Sequence, residues 1–217
     1  AYMVMKLWQE AGLPDGVINF IPGNARMVSD IVFNSEDLAG VHFTGSTEVF
    51  NSFWKKIGDN IGRYKCYPRI VGETGGKNYI MVHPSADADR VVAAIIRGAF
   101  EYQGQKCSAT SRGYIPQSRW LEIKEKLAGE IATIKMGNAE EPDTFVSAVI
   151  DRAAFDKNKR YLEYIKASPD AEIICGGGCD DTKGFFVEPT VVLTSDPAYK
   201  TMTEEIFGPI ITLYVYE

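Results

Sequence analysis

Cys107 has the sequence surroundings of a nucleophile. It lies in Gln103-Gly104-Gln105-Lys106-Cys107-Ser108, a polar turn with a glycine that follows an apolar stretch. The thiolate is the reactive form of cysteine, and the cation at Lys106 favours it. Local pattern alone also fits an exposed thiol without chemistry. Glu73 opens Glu73-Thr74-Gly75-Gly76-Lys77. A carboxylate beside a glycine-rich turn can serve as a general base when a cleft tunes its pKa. Taken alone it also reads as a solvated loop glutamate. In Phe43-Thr44-Gly45-Ser46-Thr47 an apolar run gives way to a helical one. The free N–H groups of a first helical turn attract phosphate, and Ser46 and Thr47 add hydroxyl donors. Gly45 leaves room for a close backbone approach. Ser46 equally suits a simple helix cap, and the G-x-G-x-x-G dinucleotide fingerprint is not what stands here. Glu204-Glu205-Ile206-Phe207-Gly208-Pro209 places two acids before an aromatic residue and a Gly-Pro turn. On local grounds this is a charged helix end entering a loop.

The elements that must position these residues alternate. Residues 1–11 carry a helical stripe of Met3, Val4, Leu7 and Trp8. Residues 17–21 read as a short buried strand, stopped by Pro22-Gly23. Asn24 is placed to cap a helix through about Phe33, residues 40–43 form a strand, and a third helix runs to about Asn60. Ile70-Val71 is a further strand. This order predicts a parallel sheet with helices on its faces. Beyond Gly72 the pattern predicts strands at 79–82, 112–115, 172–175 and 210–216 and helices at 87–102, 118–134 and 153–167. Residues 185–193 are extended and interrupted at Pro189. The chain starts inside a helix and stops in an apolar strand, which reads as a stretch of a longer protein.

Composition narrows the function classes. The 217 residues are 45% hydrophobic and 24% charged, which is globular. The net charge of −6 and the lack of a Lys/Arg cluster argue against a nucleic-acid partner. No apolar run is long enough for a membrane span, and the first residues do not resemble a signal peptide. Cys66, Cys107, Cys175 and Cys179 are sparse and irregular, which predicts free thiols. With only His42 and His83 available, no metal site is expected.

The four motifs, in this order, resemble the aldehyde dehydrogenase superfamily. Its phosphate-binding turn matches Phe43 to Ser46, and its Glu-x-Gly-Gly-Lys motif matches Glu73 to Lys77. Its Gly-Gln-x-Cys motif matches Gly104 to Cys107, and its ribose-binding motif matches Glu204 to Pro209. The separation 107 − 73 = 34 is usual for the family, and the resemblance runs through essentially the whole chain. Within the family the chain is most similar to the glutamate-γ-semialdehyde branch. That similarity rests on Pro68 through Asn78, Ala99-Phe100-Glu101-Tyr102, Lys106-Cys107-Ser108, residues 145–150, Phe186-Val187-Glu188-Pro189, and Phe50 in place of a common glycine.

The resemblance implies an α/β fold of the aldehyde dehydrogenase type, present in part. Residues 1–75 would be the C-terminal part of a Rossmann-like NAD-binding domain. Residues 76–217 would be the N-terminal part of an α/β catalytic domain. Cys107 would attack the aldehyde, and Glu73 would activate the water that hydrolyses the thioester. Ser46 and Gly45 would meet the pyrophosphate of NAD, with Pro22 and Gly23 near its adenosine half. Glu205 would bind the nicotinamide ribose, and Phe207 would pack beside the ring. Ser108 would help to hold the substrate carboxylate. The implied reaction is oxidation of L-glutamate γ-semialdehyde to glutamate with NAD, in proline catabolism. Other readings are another semialdehyde dehydrogenase and a non-catalytic cofactor-binding relative; an acyl-CoA-forming reductase would not need Glu73. The parent would be a homo-oligomer acting on a small aldehyde, in the mitochondrial matrix of a eukaryote or otherwise the cytoplasm. An asparagine that completes the family's oxyanion site would precede Ala1, so the 217 residues alone are expected to be inactive.

Overall fold

In the computed structural model, which describes residues 1–217, the chain divides after Thr74 into Ala1–Thr74 and Gly75–Glu217. The first unit is built around aromatic residues. Helix α1 (Tyr2–Glu10) is followed by α2 (Ala25–Asn34), strand β1 (Gly40–Thr44), α3 (Thr47–Asn60) and β2 (Arg69–Glu73). Asn24 caps α2 as its residue type predicts: its side-chain oxygen accepts from the N–H groups of Arg26 and Met27, both at 3.1 Å. Phe33 of α2 and Phe53 and Ile57 of α3 are buried with Leu38. The Phe33 and Phe53 rings lie 4.7 Å apart, and Phe43 of β1 meets Phe53 edge-on at 4.9 Å. Strands β1 and β2 run parallel, from Gly40 opposite Arg69 to Thr44 opposite Glu73.

The expected strand at residues 17–21 is not formed. That segment joins no ladder, and Val17, Ile18, Phe20 and Ile21 are exposed. A strand is held by its neighbours, and β1 and β2 pair only with each other. Helix α1 does form, yet its apolar stripe buries nothing.

The second unit places helices on both faces of one sheet. In chain order it comprises β3 (Asn78–Met81), α4 (Ala88–Phe100), β4 (Thr110–Pro116), α5 (Gln117–Thr133), α6 (Arg152–Ala167) and β5 (Ala171–Cys175). A small hairpin, β6 (Cys179–Asp180) with β7 (Phe186–Val187), precedes β8 (Thr190–Thr194), the short helix α7 (Lys200–Thr203) and β9 (Ile210–Tyr216). The sheet order is β3-β4-β9-β8-β5, parallel except for β5. Alternation along the strands explains the layering. Val191 and Ile211 join a core with Ile95, Phe100, Ile123 and Leu127 of α4 and α5. Their neighbours Val192 and Ile210 join a separate core with Phe155, Leu162 and Ile165 of α6. Such near-continuous apolar strands are typical of sheets covered on both faces. No helix is long and apolar enough to cross a membrane.

Helix α4 begins as its sequence suggests, with the Asp87 carboxylate accepting from the Arg90 N–H at 3.0 Å. It ends two residues earlier than the apolar pattern implies, because Tyr102 and Gln103 turn into the left-handed region.

Leu127 is fully buried between α5 and the sheet. Leu127→Ala is expected to cost about 2–5 kcal/mol of stability, read as a lowered midpoint in urea melts.

Candidate active site

In the first unit, β1 and β2 deliver two of the expected groups to one end of their ladder. The Gly45 N–H donates to the Glu73 carbonyl at 3.1 Å, so the turn after β1 and the last residue of β2 are adjacent. The carboxyl ends of parallel strands are where α/β sheets bind ligands. Ser46 does serve as a helix cap, its hydroxyl accepting from the Val49 N–H at 3.3 Å. The Glu73 side chain is exposed. Any side chain at Gly45 would overlap the Phe43 ring. Phe50 lays its ring on Gly72, where a Cβ would not fit. Pro22 and Gly23 are exposed just before the Asn24 cap.

In the second unit, Cys107 and Ser108 are exposed on the turn between α4 and β4. The approach to this turn is strained. Tyr102 (φ 55°), Gln103 (φ 56°) and Gly104 (φ 64°) are left-handed in succession. For a residue other than glycine that conformation costs about 1–3 kcal/mol, and surrounding contacts must over-determine it. Gly104 is required here: a Cβ would overlap the carbonyl oxygen of Gly208. Lys106 is not the thiol's partner that the sequence suggests. Its ammonium donates to the Glu101 carboxylate at 2.6 Å, and Arg97 pairs with the same carboxylate at 2.8 Å. Together the two cations hold the Glu101 carboxyl below its ordinary pKa. The local charge is thus spent on fixing the loop.

The residues after Glu73 act as a bracket for this turn. Gly76 sits against the Cys107 carbonyl, leaving no room for a Cβ. Its N–H donates to Glu205 Oε1 at 2.8 Å. Asn78 Nδ2 donates to the Ser108 carbonyl at 3.2 Å. Lys77 Nζ donates to the Thr201 carbonyl at 2.8 Å, and Arg112 reaches both the Lys77 and Met202 carbonyls, at 3.2 and 3.3 Å. Two cations therefore hold the carbonyls of α7, directly before Glu205. From α6, Lys157 Nζ donates to the Glu205 carbonyl at 2.9 Å and the Tyr161 hydroxyl donates to Glu204 at 2.7 Å. Burial and the bond to Glu204 push the Tyr161 phenol up to about 12, so it stays protonated as a donor. Phe207, with φ 63°, leaves its ring 40% exposed.

The sequence motifs therefore meet in two clusters. Ser46, Gly45 and Glu73 share one end of the first unit's ladder. Cys107, Ser108 and Glu205 share the Gly76 bracket in the second. Sequence reasoning missed Lys77, Arg112, Lys157 and Tyr161. Lys77 stood in a recognised motif, but nothing local announces where a long side chain will end.

The model of the aldehyde dehydrogenase family matches residues 1–217. The chain belongs to the aldehyde dehydrogenase family. It is 56% identical, over 218 aligned residues, to the mitochondrial delta-1-pyrroline-5-carboxylate dehydrogenase of Dictyostelium discoideum. It is 48% identical to the human mitochondrial enzyme of the same name. Both alignments take in all of this chain but only 39% and 38% of the relative. Among solved structures, the delta-pyrroline-5-carboxylate dehydrogenase of Mycobacterium tuberculosis bound with NAD superposes with a TM-score of 0.92 at 45% identity. That match covers 99% of this chain and 39% of the other. The chain thus spans about 39% of the length of these relatives.

Lys77 gives this site a measurable pH signature. Burial, aided by the nearby Arg112 guanidinium, lowers its pKa from 10.5 to about 8 against the pull of Glu205. The folded protein therefore holds this proton less tightly than the unfolded chain. Its contribution to stability is fully present above pH 10.5 and is lost as the pH falls through about 8. Relative to Lys77→Met, the unchanged protein is expected to gain stability as pH rises through that window. Parallel denaturation curves at several pH values would show it, and a constant difference would refute it.

Proposed function

We propose that the full-length protein carrying these residues oxidises L-glutamate γ-semialdehyde to glutamate with NAD. The reading is supported by relatives named for delta-1-pyrroline-5-carboxylate at 56% and 48% identity. The structural observation that carries it is the exposed Cys107 thiol on a strained turn held by Gly76. In this reading, Ala1–Thr74 is the C-terminal part of the cofactor domain and Gly75–Glu217 the N-terminal part of the catalytic domain. If the source is a eukaryote, we place the enzyme in mitochondria, the compartment in the names of its Dictyostelium and human relatives.

Each unit, taken by itself, carries residues suited to part of a dinucleotide. Gly76 holds one oxygen of Glu205 and leaves the other for a ribose hydroxyl. Phe207 offers an exposed ring face for the nicotinamide. Gly45 and the cap Ser46 lead into α3, whose first-turn N–H groups suit a pyrophosphate, and we assign the exposed Pro22 and Gly23 to the adenosine half.

The chemistry begins when the Cys107 thiolate forms a bond to the aldehyde carbon and the carbonyl becomes an oxyanion. Bound NAD would supply the acceptor for the hydride that leaves that carbon as the carbonyl re-forms. A thioester on Cys107 remains. Glu73 takes a proton from water, the resulting oxygen nucleophile attacks the thioester carbon, and the C–S bond breaks to return the thiolate and release the acid. Ser108, beside the nucleophile, contributes to holding the substrate's carboxylate.

Cys107→Ala in the full-length protein is expected to lower semialdehyde oxidation by on the order of 10⁴-fold or more. Glu73→Gln is expected to slow steady turnover by about 10²-fold or more while leaving a first-turnover burst of NADH. Stopped-flow absorbance resolves both. Near-normal turnover by Cys107→Ala would remove the nucleophile from the scheme.

A further inference from the structure

The strained approach to Cys107 needs an anchor, and two glutamine side chains supply it from either side of Gly104. Gln103 is 9% exposed and left-handed. With its amide oriented to satisfy its neighbours, its nitrogen donates to the Tyr102 carbonyl at 3.1 Å and its oxygen accepts from the Ser147 N–H at 2.6 Å. Gln105, half-buried, accepts through Oε1 from the Ile150 N–H at 2.9 Å. Both glutamines therefore grip one backbone segment, residues 147–150. That segment is itself fixed: the Val149 N–H donates to the Phe185 carbonyl at 2.9 Å, and Asp151 caps α6 through the Ala154 N–H at 2.8 Å.

We infer that Gln103 and Gln105 are positioning residues that hold the Cys107 sulfur in its reactive place by gripping the Ser147 and Ile150 N–H groups. The inference rests on the proposed role of Cys107 as nucleophile. A left-handed Tyr102-Gln103 pair relaxes unless side chains hold it, and relaxation swings the following residues. Lys106 and Asn78 hold the later part of the turn, through Glu101 and the Ser108 carbonyl. The glutamines hold its beginning. A displacement of about 1 Å at a reacting atom is enough to cost about 10²-fold in rate.

The test uses the full-length enzyme, NAD and glutamate semialdehyde. Gln105→Met removes the acceptor at similar volume, whereas Gln105→Glu keeps an oxygen for the Ile150 N–H. Both are compared at high ionic strength, which screens the charge that Gln105→Glu adds. Gln105→Met is expected to slow the NADH burst by about 10- to 100-fold with unchanged NAD affinity and thermal midpoint. Gln105→Glu is expected to recover most of that loss. Gln103→Met should reproduce the Gln105→Met loss; if its buried position prevents folding, the Gln105 pair decides alone. A burst in Gln105→Met equal to that of the unchanged enzyme, or a Gln105→Glu burst as slow as that of Gln105→Met, would overturn the inference. Turnover retained by Cys107→Ala would overturn the nucleophile reading and this inference with it. That outcome appears in a different protein from either glutamine result, so the two failures are told apart.

Discussion

Two backbone approaches that only glycine permits hold the chemical part of this protein together. Gly76 lies against the carbonyl of Cys107 while its N–H binds Glu205. Gly104 lies against the carbonyl of Gly208. Three loops that are distant in sequence are stitched by these contacts: the bracket after Glu73, the cysteine turn, and the Glu204-to-Pro209 segment. A methyl group at either position would overlap a backbone carbonyl, which a packed protein relieves only by moving a loop. The glycines of the two motifs are therefore spacers that set the distances between these loops. The charged side chains around them, Lys77, Arg112 and Lys157, point inward to carbonyls. They fix the backbone that carries Glu205.

Much of the second unit was legible in the sequence because its elements are buried on a regular period. The stripe of Val91, Val92, Ile95, Ile96 and Phe100 gave α4, and the apolar run at 210–216 gave β9. The break at Pro189 separates β7 from β8 as expected. The first unit was less legible at its start. Residues 17–21 have the composition of a strand, but composition does not provide a pairing partner, and they are exposed without one. The Glu101-Lys106 ion pair could not be read locally either, since it depends on the chain reversing between the two residues. That reversal uses left-handed Tyr102 and Gln103, where sequence rules look for glycine.

At the site the structure gathers the motifs into two clusters whose local contacts the sequence did not announce. Ser46 is both a helix cap and a residue at the ladder's carboxyl end, so the plain reading and the functional one are compatible. Lys106 contributes order where it was expected to contribute charge. Membership in the aldehyde dehydrogenase family gives the chemistry a consistent frame. In the mechanism we propose, Cys107 would supply the covalent bond, Glu73 would move a proton, and Glu205 with Phe207 would receive the cofactor. In that scheme a preorganised loop would spare the enzyme the cost of ordering the nucleophile at the moment of reaction.

The covalent intermediate is the most direct point at which to test this scheme. Full-length Glu73→Gln enzyme mixed with NAD and glutamate semialdehyde, quenched in acid within the first turnover and digested, can be read by peptide mass spectrometry. The account predicts an acyl adduct on the peptide containing Cys107 and on no other cysteine peptide. An adduct at Cys66, Cys175 or Cys179, or NADH formation with no protein-bound acyl group at all, would contradict it.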